Sequence, residues 1–311
     1  MELLFAPMEG VTYPAFRRIH AAMFPGAAAY YTPFIAPDTT GSFKPKYLAG
    51  LLPDARAGVK VVPQLLGNRP EALAVTARKL CDLGFEEIDL NLGCPSGTVV
   101  SKHKGAGLLG DLPALECLLD ELFSQTDLKI GVKTRMGVTD TAEFPEILRI
   151  YDRFPLSHLI IHARSRAGMY KSEPDLTGFA RAFLTSRCRP IYNGGIASQK
   201  DLDNVAALCP GLTGVMVGRG AVADPALLRE LSGGLPLQPG ELSAFHDALL
   251  EAYLTELTPA FAVERMKHLW TFRADLGTPE QQRLVRRVLK TRQLSDYRSA
   301  ASLALAAGPP A

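Results

Sequence analysis

Eight short apolar runs, spaced by segments with helical periodicity, constrain this chain more than any other feature. They fall at residues 3–6, 28–32, 59–66, 87–92, 129–133, 158–162, 190–193 and 214–217. Strand signals that alternate with helix signals specify βα units and a parallel sheet. Eight such units predict a closed (β/α)8 TIM barrel, and 311 residues are enough to build one with a small appendage. The helical segments carry their own start signals. Pro70-Glu71, Asp111-Leu112-Pro113 and Asp224-Pro225 precede segments expected at 72–83, 114–123 and 226–231. The second crossover, 34–58, is rich in Pro and Gly and gives the weakest pattern.

The composition changes after residue 231. Residues 233–240 contain three Gly and two Pro and read as a linker. Helical segments follow at 243–257, 260–276, 280–289 and 295–306, so the expected organisation is a barrel domain at 1–232 and a small helical bundle at 241–311. From Arg265 to Arg298 nine cations face three carboxylates, Asp275, Glu280 and Asp296, although the whole chain is only +2. A charge run of this kind is either a solvated face or a footprint for nucleic-acid phosphates.

Other classes are disfavoured. Five widely spaced cysteines without a C-x-x-C pair suggest neither a disulfide framework nor a metal site. No stretch approaches the roughly 18 uninterrupted apolar residues of a membrane span, and the first residues lack a basic leader, so a cytoplasmic location is expected.

In a barrel of this type the active site lies at the C-terminal ends of the strands. The unusual residues gather there: Pro7, Met8 and Glu9 after the first run, Gln64 late in the third, Asn91 late in the fourth and Cys94 after it. Lys133 and Arg135 close the fifth, His162 and Arg164 the sixth, Asn193-Gly194-Gly195 the seventh, Gly218-Arg219-Gly220 the eighth. Glycine-rich loops after the last two strands are the usual phosphate cradle of the fold. Lys133 in a barrel mouth requires an electron-rich partner, which a flavin ring edge, a phosphate or a substrate carboxylate would each supply. Cys94 sits in a Gly/Pro-shaped turn, as a reactive thiol or as a small buried side chain.

Taken in order, Ala6-Pro7-Met8-Glu9-Gly10, Gln64-Leu65-Leu66-Gly67, Asp89-Leu90-Asn91-Leu92-Gly93-Cys94-Pro95-Ser96, Val132-Lys133-Thr134-Arg135, His162-Ala163-Arg164-Ser165, Asn193-Gly194-Gly195 and Gly218-Arg219-Gly220 resemble the tRNA-dihydrouridine synthases. The resemblance runs through the whole barrel. It implies FMN as bound cofactor, NADPH or NADH as reductant, tRNA as partner, no obligate protein partner, and reduction of the C5=C6 bond of a uridine. Carried over, Pro7, Met8, Glu9, Gln64, Lys133, His162, Asn193, Gly194, Gly195, Gly218 and Arg219 would hold FMN. Asn91, Arg135 and Arg164 would face the uracil, with Cys94 as proton donor. Arg265 and Lys267, in a segment that resembles the family's tRNA-contacting helix, would meet RNA, as would Arg286, Arg287 and Lys290 of the basic stretch. The chain departs from the family pattern at Gly195, at Leu176 and in the loop 164–170, which keeps Tyr170 and lacks a common Gln. Two other functions share these features: a flavin barrel acting on a free pyrimidine, as in dihydroorotate dehydrogenase, and a non-catalytic RNA-folding protein.

Overall fold

The computed structural model describes residues 1–43, 51, 59–126, 128–274 and 276–308. The greater part of the second crossover expected at 34–58 therefore lies outside the described residues. Nine strands appear in chain order: β1 (Glu2–Phe5), β2 (Ala29–Tyr31), β3 (Val61–Val62), β4 (Gln64–Leu65), β5 (Glu87–Leu92), β6 (Lys129–Arg135), β7 (Leu159–His162), β8 (Ile191–Asn193) and β9 (Gly214–Val217). All described pairings are parallel, in the order β3-β2-β1-β9-β8-β7-β6-β5-β4.

The two ends of that order, β3 and β4, are halves of the single run expected at 59–66. Pro63 separates them because it has no N–H for the ladder, and its carbonyl instead accepts from the Asp89 amide at 2.9 Å. Eight staves thus close the barrel. The fifth run is longer than expected, since β6 reaches Arg135.

Around the barrel lie α1 (Pro14–Met23), α2 (Pro70–Asp82), α3 (Leu112–Ser124), α4 (Phe144–Tyr151), α5 (Leu176–Thr185) and α6 (Gln199–Leu208). Their starts follow local chemistry. Asp111, Asp175 and Ser198 each accept a backbone N–H of the first turn. Strand residues such as Ile88, Leu90, Leu92, Ile130 and Val132 point outward into the main core beneath these helices.

The lumen is divided. Leu4, Ala6, Ala29, Tyr31, Val62, Ile160, Ile191 and Met216 form an apolar cluster on one side. On β4, β5 and β6 the inward positions are instead Gln64, then Glu87, Asp89 and Asn91, then Gly131, Lys133 and Arg135, because alternate strand residues share a face. This polar column leads to the C-terminal ends of the strands.

Four further helices follow: α7 (Glu241–Glu256), α8 (Pro259–Thr271), α9 (Pro279–Leu289) and α10 (Leu294–Ala306). α9 opens with a capping box between Thr278 and Gln281. Phe245 of α7 packs against Phe16 and Phe24, ring centroids 5.7 and 5.4 Å away, which joins these helices to α1. Trp270 Nε1 donates to the Tyr297 hydroxyl at 2.9 Å, and His246 Nε2 meets the same oxygen at 2.7 Å, pinning α7, α8 and α10 together. Residues 233–240 are tied down rather than loose: the Arg229 guanidinium donates to the carbonyls of Leu235 and Pro236 and to the Glu241 carboxylate.

The helix expected over 260–276 stops at Thr271. Beyond it Arg273 turns inward, is 7% exposed, and is held down to about 10 by burial, with Asp224 opposing the shift. It is therefore no part of the basic face counted from the sequence.

Candidate active site at the C-terminal mouth of the barrel

The strand ends bring Gln64, Asn91, Lys133, Arg135, His162 and Asn193 into adjoining register rows. Asn91 is level with Lys133, and Arg135, His162 and Asn193 form the next row. Asn91 organises the cysteine turn, since its Oδ1 accepts from the Gly93 and Cys94 amides at 3.1 and 2.9 Å. The chain of Gly105–Gly110 passes behind that turn, where the Ala106 amide donates to the Cys94 carbonyl at 3.1 Å. Gly105 permits this approach, because a Cβ there would lie 3.1 Å from that of Cys94.

Cys94 is partly accessible. Burial raises its pKa, against a backbone hydrogen bond from Ser96 and the positive charges of Arg135 and Lys133. The thiol is therefore protonated at neutral pH, which suits a proton donor and not a thiolate nucleophile.

Lys133 is held down to about 8, first by burial and then by Arg135, with Asp89 and Cys94 acting the other way. No hydrogen bond or ion pair engages its ammonium among the described residues. It is a half-buried cation, which an electron-rich group at the mouth would stabilise.

His162 is pushed well below its usual value by burial and by the charges of Lys133, Arg135, Arg164 and Arg219. It is neutral, and Arg164 Nη1 lies 3.0 Å from its Nε2. Arg164 Nε donates to the Ser172 carbonyl at 2.6 Å. Arg135 ties loops together: it donates to the carbonyls of Gly93, Ser165 and Met169, leaving Nη2 buried without a partner among the described residues. Tyr170, 48% exposed, lies between the Arg135 and Arg219 guanidinium groups, 5.1 and 4.6 Å from its centroid.

Beside His162 on the next strand, Asn193 Nδ2 donates to the Met216 carbonyl at 2.8 Å. Gly194 and Gly195 follow with φ of 144° and 71°, conformations that favour glycine, and a Cβ at Gly195 would stand 3.1 Å from Pro174. A Cβ at Gly218 would stand 3.1 Å from the Met8 sulfur, so the loops after β1 and β9 touch. Pro7 and Met8 are half-buried beside them. Glu9 is exposed and accepts from the Tyr13 hydroxyl at 2.9 Å.

The residues expected to meet RNA divide into two places. Arg265 lies near the mouth, 3.7 Å over the Tyr13 ring. Lys267 is paired with Glu264 at 2.7 Å on the same helix. Arg286, Arg287 and Lys290 are exposed at the C-terminal end of α9.

Sequence patterning did not single out Glu87, Asp89 and His158. His158 lies between two carboxylates, Nδ1 3.0 Å from Glu87 Oε1 and Nε2 2.9 Å from Asp89 Oδ1. The signal was present in 87–92, whose polar residues at every second position face a barrel lumen. Those carboxylates raise the His158 pKa to about 9 despite burial, and Glu87 is lowered to about 2 chiefly by the same hydrogen bond. The raised histidine contributes stability that is complete below about 6.5 and lost as pH rises through about 9. The lowered carboxylate contributes stability that is present above about 4.5 and lost as pH falls toward 2. His158→Gln is accordingly expected to flatten the decline of melting temperature between pH 6.5 and 9.5. Parallel melting curves of the two proteins across that range check it.

An eight-stave parallel barrel thus gathers at its mouth a part-accessible thiol, a lysine without a hydrogen-bonded partner among the described residues, and three arginines. Its family follows from comparison with known proteins. The family model described as "Dihydrouridine synthase (Dus)" matches residues 4–250. The chain belongs to the dihydrouridine synthase family and is an oxidoreductase of that family. It is 28% identical to a probable tRNA-dihydrouridine synthase of Rhodobacter capsulatus, over 96% of this chain and 94% of that one. It is 31% identical to a tRNA-dihydrouridine(16) synthase of Ralstonia nicotianae, over 77% and 75%. Among experimental structures, morphinone reductase superposes with a TM-score of 0.53 at 13% identity, covering 78% of this chain and 88% of that one, a likeness of fold.

Proposed function

We propose that this chain reduces the C5=C6 bond of a uridine in tRNA to 5,6-dihydrouridine, with FMN as bound cofactor and NADPH or NADH as reductant. The observation that carries this reading is that the Cys94 turn, held by Asn91, and the half-buried Lys133, which is level with Asn91 and whose ammonium has no hydrogen-bonded or ion-paired partner among the described residues, lie at one mouth. That ammonium fits the electron-rich N1–C2=O edge of a flavin, and the loops at Gly194-Gly195 and Gly218-Arg219 fit its phosphate. Pro7, Met8, Glu9, Gln64, His162 and Asn193 complete the set assigned to holding FMN. When bound, FMN supplies the hydride chemistry.

The chain's own residues do the rest. Lys133 offsets negative charge at the ring edge. Neutral His162, fixed by Arg164, accepts or donates a hydrogen bond without adding charge. Asn91, Arg135 and Arg164 present donors to the uracil, and the Cys94 thiol delivers a proton to C5. A base stacked in RNA cannot enter the barrel, so the uridine must turn out of its loop. The split into a catalytic unit at 1–232 and an RNA-binding unit at 241–311 belongs to the same proposal, with Arg265 and Lys267 near the mouth and Arg286, Arg287 and Lys290 on α9. A cytoplasmic location accords with such a substrate, and among the described residues no helix is long and apolar enough to cross a membrane.

The test is to incubate the FMN-loaded protein and NADPH with tRNA from cells lacking it and to measure dihydrouridine by mass spectrometry. Reduction of free uracil or orotate in preference to tRNA would overturn the reading. Replacing Arg286, Arg287 and Lys290 together by Gln is expected to raise the Kd for tRNA about tenfold at moderate salt and to make it less salt-dependent. Filter binding across a salt series reads both, and identical lines for the two proteins would remove α9 from the interface.

A further inference from the structure

His158 and the Cys94 turn stand at opposite ends of a continuous chain of hydrogen bonds inside the barrel. His158 Nε2 meets Asp89 Oδ1 at 2.9 Å, and Gln64 Nε2 donates to Asp89 Oδ2 at 2.6 Å. Asn91 Nδ2 donates to Gln64 Oε1 at 2.7 Å, and Asn91 Oδ1 accepts from the amides of Gly93 and Cys94. Asp89, Gln64 and Asn91 are all buried. Gly131, level with Asp89 on β6, makes room for the histidine, since a Cβ there would fall within 1.9 Å of the ring.

The direction of this chain is fixed from both ends. Backbone N–H groups only donate, so Asn91 must turn its oxygen to the Cys94 turn and its nitrogen to Gln64. Gln64 must then turn its nitrogen to Asp89, which has to accept. At the other end, a ring whose two nitrogens each face a carboxylate oxygen can donate at both as the imidazolium. Asp89 then accepts from both neighbours, His158 and Gln64, and every link is satisfied. Without the ring, Asp89 Oδ1 would lose its donor and the carboxylate would be free to turn, taking with it the partner that orients the amides of Gln64 and Asn91.

We propose that His158 is a positioning residue for the Cys94 acid, acting through Asp89, Gln64 and Asn91 to hold the amide of Asn91 toward the cysteine turn. This rests on the role proposed above for Cys94. The groups facing His158 are Glu87 and Asp89 on β5 and Tyr31 on β2, with Glu2, Lys60, Cys188 and Arg189 lining the cavity around it. The Ser157 hydroxyl also faces Nδ1, at 3.3 Å, and among the described residues only Asp89 of these groups is hydrogen-bonded on toward Asn91.

A double-mutant cycle on single-turnover uridine reduction, at saturating tRNA with the flavin pre-reduced, tests it. His158→Gln is expected to slow that step about tenfold or more, the scale of a misplaced reacting group. In an Asn91→Ala background the same substitution is expected to change the rate less than twofold, because its effect has already been removed. Glu87→Gln, which leaves the Asp89–Gln64–Asn91 links intact, is expected to stay within about twofold of wild type. Should His158→Gln alone fail to fold with two facing carboxylates, the cycle runs with His158→Gln and Glu87→Gln combined. Losses that multiply in the double variant, or a His158→Gln rate equal to wild type, would overturn the proposal while leaving Cys94 as acid. Full activity of Cys94→Ala would overturn both.

Discussion

Cys94→Ala is expected to bind FMN and to accept reducing equivalents from NADPH as the wild type does, while dihydrouridine formation falls by about 100-fold or more. General acid catalysis by a positioned group contributes roughly 10²–10⁴ in rate. Burial raises the thiol pKa, so the proton is present throughout the neutral range. The two halves separate cleanly in experiment. Flavin bleaching in a stopped-flow instrument reports the first, and mass spectrometry of digested tRNA reports the second. Undiminished dihydrouridine from this variant would remove Cys94 from the chemistry.

Lys133→Met is the second large effect, and it strikes the other half. The side chain is half-buried, its ammonium has no hydrogen-bonded or ion-paired partner among the described residues, and desolvation holds it down to about 8. An electron-rich ring edge beside it would relieve the cost, so affinity for the cofactor and the rate of its reduction depend on the same charge. Methionine keeps the stem and loses the charge. Purified Lys133→Met should carry markedly less flavin, and after reconstitution NADPH should reduce it about 10²-fold more slowly, the usual loss for one charge-stabilising donor. Normal flavin content and normal bleaching would place the negative charge elsewhere in the mouth.

These expectations draw on parts of the site that were unequally legible. Cys94, Lys133, His162 and Asn193 could be read directly, because each is a polar or reactive residue where a short apolar run ends, and in a barrel every strand end points into one mouth. The barrel was legible for the same reason, since eight runs with helices between them leave few other closures. Pro63 was visible in the third run, yet its effect, two half-strands that hydrogen-bond to different neighbours, needed the ladder itself. The end of α8 was misjudged because residues 272–276 keep a helical composition while the Arg273 side chain is drawn inward toward Asp224.

By itself the sequence determined the number of staves and the set of polar side chains delivered to the C-terminal mouth, where the proposed chemistry sits. Periodicity and strand ends are local properties, written in neighbouring residues. Only the tertiary structure decided which of those side chains retain a free valence. Arg135, expected to face the uracil, spends most of its donors on the carbonyls of Gly93, Ser165 and Met169, whereas Lys133 spends none among the described residues. It also decided that Glu87, Asp89 and Asn91, three alternate residues of one strand, meet His158 and Gln64 from two others across the lumen. Hydrogen-bond satisfaction and burial depend on groups far apart in the chain, so the charge on Lys133 and the orientation of Asn91 become defined when the barrel closes.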